Sequence, residues 1–218
     1  MAFRQIINKI LIRMRESTIG NDWSGAINDS SSVDDYQQLI GELVNEAKQV
    51  VEDAWNWGCL RTLKTVTTVN STPTYTISDL NERARVLQVL DNTNDCMLRQ
   101  ISDADFYHYT YIGATQTGAP LYYRLKDNEI SFWPTPDAVY DIKVHAVQPQ
   151  DDLTDATDTL TVQEHLVVLG AYALALNERG EDTGTVSDTA ALRFSNALSD
   201  AISQDECRTV NETTWNAV

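Results

Sequence analysis

The sequence predicts an α+β fold: a helical body of long N-terminal and C-terminal helices, an inserted small antiparallel β-sheet module, and a mobile C-terminal tail. Three observations carry this. The first sixty residues repeat apolar side chains at helical spacing. Residues 59–150 alternate, are rich in β-branched side chains and are punctuated by turn formers. After residue 160 a long apolar helical pattern resumes. The resulting divisions are 1–58 (N-terminal helical part), 59–150 (β-module with one short helix), 151–204 (C-terminal helices completing the body) and 205–218 (extended tail).

Phe3, Ile6, Ile7, Ile10, Leu11 and Met14 form a single apolar stripe. A Gly/Asn/Ser/Asp loop over 20–32 follows. Ser31 or Ser32 suits an N-cap, with Asp34 and Asp35 in the first turn, where the helix dipole favours negative charge. Tyr36, Leu39, Ile40, Leu43, Val44, Ala47, Val50, Val51 and Ala54 mark the buried face of a rod over 33–57, closed by Trp55, Trp57 and Gly58.

Beyond Cys59, "TLKTVTTVNSTPTYTIS" reads as two short strands around Pro73. "ARVLQVLD", the turn "NTND" and "CMLRQI" read as a hairpin. Ser102 caps a short helix, "DADFYHYTYI". Lys126 to Glu129 make a tight turn between "LYYRL" and "EISFW", because Asp127 and Asn128 tolerate left-handed angles. Ile130 and Phe132 point inward, with Glu129 and Ser131 facing water. Pro134 and Pro136 stop the strand, and Ile142, Val144 and Ala146 alternate in the next one. The expectation is a meander of about five to seven antiparallel strands. "QPQDDLTDATDTL" reads as an acidic, solvated connector. A mostly buried helix then ends at Gly180, and a final helix covers about 185–204.

Composition excludes several functions. Sixteen Lys and Arg against thirty-two Asp and Glu give a net charge of −16 over 218 residues. Such a surface repels nucleic acid and anionic membranes, since phosphate binding needs clustered cations. Four cations, Arg4, Lys9, Arg13 and Arg15, gather in the first fifteen residues. They read either as the solvated face of one helix or as a basic element docking on an acidic neighbour. Cys59, Cys96 and Cys207 show no CxxC pairing and suit free thiols in a reducing compartment. Asn8, Lys9 and Arg13 interrupt the N-terminal apolar run, so no signal peptide is expected, and the apolar run over 166–176 is too short to span a bilayer. A soluble chain made in a cytoplasm is the expectation.

Catalytic signatures are missing from the pattern. There is no GxSxG elbow, "GATQTGAP" lacks the Gly-Lys-Ser/Thr of a phosphate loop, and His108, His145 and His165 fall in three separate elements. No cofactor is expected. Asp151, Asp152, Asp155 and Asp158 offer carboxylates for a hard cation but not EF-hand spacing, so capping aspartates in a connector are the preferred reading. Tyr107, Tyr109, Tyr111, Tyr122 and Tyr123 crowd one region near Trp133. Stacking on single-stranded nucleic acid would want more cations than Arg124 and Lys126, which favours core and interface packing instead.

The succession "WNWGCLRTLKTVTTVNSTPTYTIS", "ARVLQVLD", "LRQISDADF", "GAPLYYRLKDNEISFWPTPDAVYDIKV" and "EHLVVLGAYALALNERGED" resembles the head-to-tail adaptor proteins (connectors, tail accessory factors) of short-tailed bacteriophages. The resemblance runs over about residues 3–198. It implies a non-enzymatic virion protein of the neck, made in the host cytoplasm, that forms a ring, usually dodecameric, beneath the portal. Such a ring extends the DNA channel without gripping DNA specifically and gives the tail nozzle a platform. It further implies that helices build the ring, that the β-module faces the tail, and that the C-terminal segment reaches the portal with Trp215 as anchor. Trp133, Pro134 and Pro136 become a candidate docking edge, and Arg4, Lys9, Arg13 and Arg15 candidate contacts to a neighbouring subunit. Two other readings stand beside this one: a small soluble hydrolase, of which a virion-carried cell-wall-degrading enzyme is one form, and a tail-tube or stopper component.

Overall fold

A computed structural model describes residues 1–28, 33–78, 80–112, 116–180 and 186–208. Ser31, Ser32 and Trp215 lie outside the described residues. The chain folds as two compact units, Met1–Leu60 with Gln150–Val218, and Arg61–Pro149. The fold is α+β, as the alternation of patterns predicts.

The first unit is helical. Helix α1 (Phe3–Met14) buries all six residues of its apolar stripe, five of them completely. Burying each stabilises the fold by about 1.5–3 kcal/mol relative to exposure. Arg15 ends the helix in the left-handed region at φ 60°, and its N–H donates back to Ile12. Asn8 then fastens the outgoing loop: its amide donates to the Ile19 carbonyl (3.0 Å) and accepts from the Ile19 N–H (2.8 Å).

Helix α2 (Asp35–Ala54) begins at Asp34, whose N–H donates to the Gln37 side chain at 3.1 Å, half of a capping box. It is shorter than the expected rod: its 20 residues span about 30 Å. Trp55 is already extended. Trp57 instead folds back, 2% exposed, and its indole N–H donates to the Val51 carbonyl at 2.6 Å, satisfying an orphan acceptor of the last turn. Val50, expected inside, is 47% exposed. Besides Gln37, the buried face instead takes in three polar residues further along, Asn45, Lys48 and Glu52.

Those three residues order the acidic segment that follows the β-module. Lys48 Nζ donates to the carbonyls of Gln150 (2.8 Å) and Asp151 (2.6 Å), with Asp152 Oδ1 at 3.6 Å. Glu52 accepts from Gln150 N–H at 3.1 Å, and Asn45 exchanges two hydrogen bonds with Leu153. Leu153, Ala156 and Leu160 are buried. The side chains of Asp151, Asp152 and Asp155 stay exposed, as expected of a solvated connector, while the backbone between them is packed down because a polar stripe on α2 supplies the partners it needs. Helix α4 (Glu164–Arg179) packs against α1, α2 and α5 (Val186–Arg208). At Gly170 a Cβ would meet Ala47 and Phe194 at 3.1 Å, so a side chain there would hold the helices apart. Gly180 ends α4 at φ 60°. Helix α5 continues beyond Gln204 to Arg208, and Asp205 accepts from the Trp55 indole and the Gly58 N–H.

Among its described residues the second unit holds eight strands: β1 (Arg61–Thr67), β2 (Thr74–Thr76), β3 (Arg85–Asp91), β4 (Cys96–Met97), β5 (Arg99–Gln100), β6 (Tyr122–Lys126), β7 (Glu129–Trp133) and β8 (Asp141–Val147). They form two four-stranded sheets, ordered β1-β8-β3-β4 and β2-β7-β6-β5, instead of one meander. "CMLRQI" divides at buried Leu98: β4 stays with β3, and β5 joins the other sheet parallel to β6. Both sheets feed one apolar core, including Val66, Val89, Ile130, Phe132, Ile142 and Val144. The β6–β7 hairpin turns at Asp127, φ 52°, as the turn residues predict. Ser131, expected in water, is 1% exposed and shares a hydrogen bond with Thr74 at 3.0 Å.

Candidate functional site: an aromatic cleft with a buried arginine

Ser102 accepts the Asp105 N–H (3.2 Å) and so starts helix α3 (Asp103–Tyr107), which passes directly into a π-helical turn over His108–Ile112. That wider turn sets Tyr107 and Tyr111 in a stack 6.0 Å apart, and it places Tyr109 face to face with Trp133 at 4.6 Å. Tyr122 adds a third ring, 5.7 Å from Trp133 and 6.2 Å from Tyr109. Such ring pairs contribute about 0.5–1.5 kcal/mol beyond their buried area. The helix-and-turn segment is thus bolted to the end of β7 by aromatic contacts.

A cleft of about 310 Å³ opens here, walled by Tyr107, Tyr109, Tyr111 and Trp133, with Phe132 and Arg124 deeper in. Tyr111 stands 78% exposed at its rim. Arg124, only 8% exposed, lies with its guanidinium carbon 4.6 Å from the Phe106 ring centre and 5.3 Å from that of Tyr107. Two adjacent rings, their centres 6.3 Å apart and nearly perpendicular, thus pack beside the guanidinium on one side and contribute a cation–π contact. Its donors are poorly used: one long contact to Ser131 Oγ (3.4 Å), Asp103 3.6 Å from Nε, and no hydrogen bond at Nη1 or Nε. Among the described residues no Asp, Glu, His or Cys lines the cleft.

The sequence-derived candidates divide between the two units. Trp133 sits in the aromatic stack, and the Trp133–Pro134 bond is cis. Pro134 and Pro136 are buried, so the surface at this corner belongs to Trp133 and the tyrosines. In the helical unit, Arg4 donates to the carbonyls of Asn21 (2.8 Å) and Trp23 (3.3 Å). Lys9 pairs with Glu164, and Arg13 lies over the Tyr172 ring at 5.8 Å. Arg13 and Arg15 are exposed. Among the described residues no group of three His, Cys, Asp or Glu is placed to hold a metal ion. In the acidic segment Asp158 instead accepts the N–H groups of Thr154 and Asp155, both at 2.8 Å. The tyrosines and Arg124 are visible in the sequence, but their convergence is not. The available signal was Arg124 in a strand directly after Tyr122 and Tyr123, opposite Ser131.

Comparison with known families decides the identity: the model of the SU10 adaptor protein family matches residues 1–216. The chain belongs to that family. No curated protein matches it. As an SU10 adaptor it is a structural bacteriophage protein of the head–tail neck and a component of the virion, in a family that is not an enzyme family. Among the described residues no helix is long and apolar enough to cross a membrane.

Proposed function

We propose that this adaptor assembles into a closed ring, about twelve copies as in the proteins it resembles, docks beneath the portal protein, extends the DNA channel and presents a platform to the tail nozzle. Family membership over residues 1–216 carries the reading. The charge supports it: a lining built from subunits of net charge −16 repels DNA and lets it slide instead of binding it. In this arrangement the helical unit forms the ring body. Arg13 and Arg15, both exposed, face an acidic neighbour, with Arg4 and Lys9 holding the helix in place. Trp215 anchors the tail segment on the portal, as a single buried aromatic can dominate an interface. The Trp133–Pro136 corner faces the tail.

The test is electron microscopy and native mass measurement of the protein mixed with its portal. A stable complex with ring symmetry is expected, and a persistent monomer overturns the proposal. Reversing Arg4, Lys9, Arg13 and Arg15 to Glu should abolish ring or portal assembly; unchanged assembly removes α1 from the interface.

A further inference from the structure

We infer that the cleft of the β-unit is a peptide-binding site for a carboxylate-bearing segment: an Asp or Glu of a partner protein, next to an aromatic side chain. This is independent of ring assembly and of the portal.

The inference starts from Arg124. A guanidinium buried to this degree normally spends its five donors on fixed acceptors. Here Nη1 has no hydrogen bond, and Nε has only Asp103 at 3.6 Å, beyond hydrogen-bonding range. Leaving such donors unmet costs stability, so an unsatisfied charged group on a cleft wall points to an acceptor supplied from outside. The ring contacts to Phe106 and Tyr107 hold the guanidinium in place from one side, and Nη1 stays without an acceptor for an incoming group to supply. An oxyanion meeting that donor gains a charge-assisted bond with little ordering cost.

The walls choose the neighbour. Tyr107, Tyr111, Tyr109 and Trp133 form two stacked pairs with exposed surface, and Tyr107 and Tyr111 are 46% and 78% exposed. Exposed tyrosine and tryptophan at a concave surface provide rigid contact area with a polar tip, the composition of interface anchors. The volume, about 310 Å³, admits one or two side chains and not a folded domain.

Charge selects peptide over nucleic acid. A single strand brings one phosphate per nucleotide, and successive stacked bases need successive cations along the groove. Among the described residues this cleft has one cation on its wall, with Asp103 at 3.6 Å and Asp105 on the same helix. One guanidinium matches one carboxylate.

The experiment titrates the full-length protein with three probes: acetyl-Trp-Glu-amide, acetyl-Trp-Gln-amide and an oligo-dT of about eight nucleotides. The readout is the side-chain Nε–Hε resonance of Arg124, assigned by its loss in Arg124→Lys. The Glu peptide should shift this resonance saturably, and the Gln peptide should bind at least about tenfold more weakly. Tyr111→Ala, which removes an exposed ring and leaves the fold intact, should weaken the Glu peptide severalfold. The inference is overturned if Glu and Gln peptides bind equally, if the oligonucleotide binds as well as the Glu peptide, or if none shifts the resonance at about 10 mM.

Discussion

Two buried cations, Lys48 and Arg124, show how differently the two units use the same expensive feature. Lys48, fully buried on α2, meets two backbone carbonyls and a carboxylate, and its neighbours Asn45 and Glu52 complete the wiring of the segment it holds. Arg124, nearly as buried, lies against two rings and keeps Nη1 and Nε without hydrogen bonds. A buried charge with satisfied partners is part of the scaffold. One with unmet donors at the wall of a cleft is available to a ligand. The contrast separates structure from recognition without reference to conservation.

The largest effect is expected at Lys48. Lys48→Met retains most of the volume but strands the Gln150 and Asp151 carbonyls, at about 1–3 kcal/mol for each group left unsatisfied. Urea unfolding followed by tryptophan fluorescence should show a loss of about 3 kcal/mol, with Trp23 and Trp57 buried in the same unit. A loss below about 1 kcal/mol would mean that the clamp holds nothing.

Asn45→Ala should come next. It frees both the N–H and the carbonyl of Leu153, which is 1% exposed, at a cost of about 2 kcal/mol. Hydrogen exchange at the Leu153 amide should accelerate in this variant; unchanged protection would place the order of the segment elsewhere.

Arg124→Met sharpens the comparison from the other side. It gives up the ring contacts and the distant Asp103 pair but also removes the unmet donors, so the thermal midpoint should move by the equivalent of no more than about 1 kcal/mol in either direction. Destabilisation equal to that of Lys48→Met would make Arg124 scaffold and erase the distinction.

The smallest effect concerns pH. Burial of Tyr123 disfavours its phenolate and raises its pKa above the ordinary tyrosine value of about 10. The folded state therefore holds this proton more tightly. The resulting stability is fully present below the unfolded value and is lost as pH rises through the raised one. Thermal melts of Tyr123→Phe should match the parent at neutral pH and decline less steeply above pH about 10; parallel alkaline limbs would refute the assignment.

Local pattern was enough for much of this molecule. The α1 stripe, the Ser102 cap, the Asp127–Asn128 turn, the strand stop after Trp133 and the glycine end of α4 all follow from spacing and backbone preference, which act within a few residues. The order of helices and strands, and hence the α+β class, follows from the same signals. Ser131 and Val50 depart from their expected faces because polarity alone assigns a side, although a polar group can be buried wherever another element supplies its partner.

The tertiary structure decided what lies between distant residues. Pairing of β1 with β8 joins Arg61 to Val147, and the division of "CMLRQI" between two sheets depends on which edge each half reaches. The Lys48 clamp links residues 102 and 103 positions apart, and the guanidinium of Arg124 met its rings only when a π-turn aimed the tyrosines at the end of β7. Side-chain periodicity in the sequence sets which face of each element is apolar. Which polar groups are satisfied, and which one remains open, is decided when the elements pack, because a hydrogen bond depends on geometry that no single element contains.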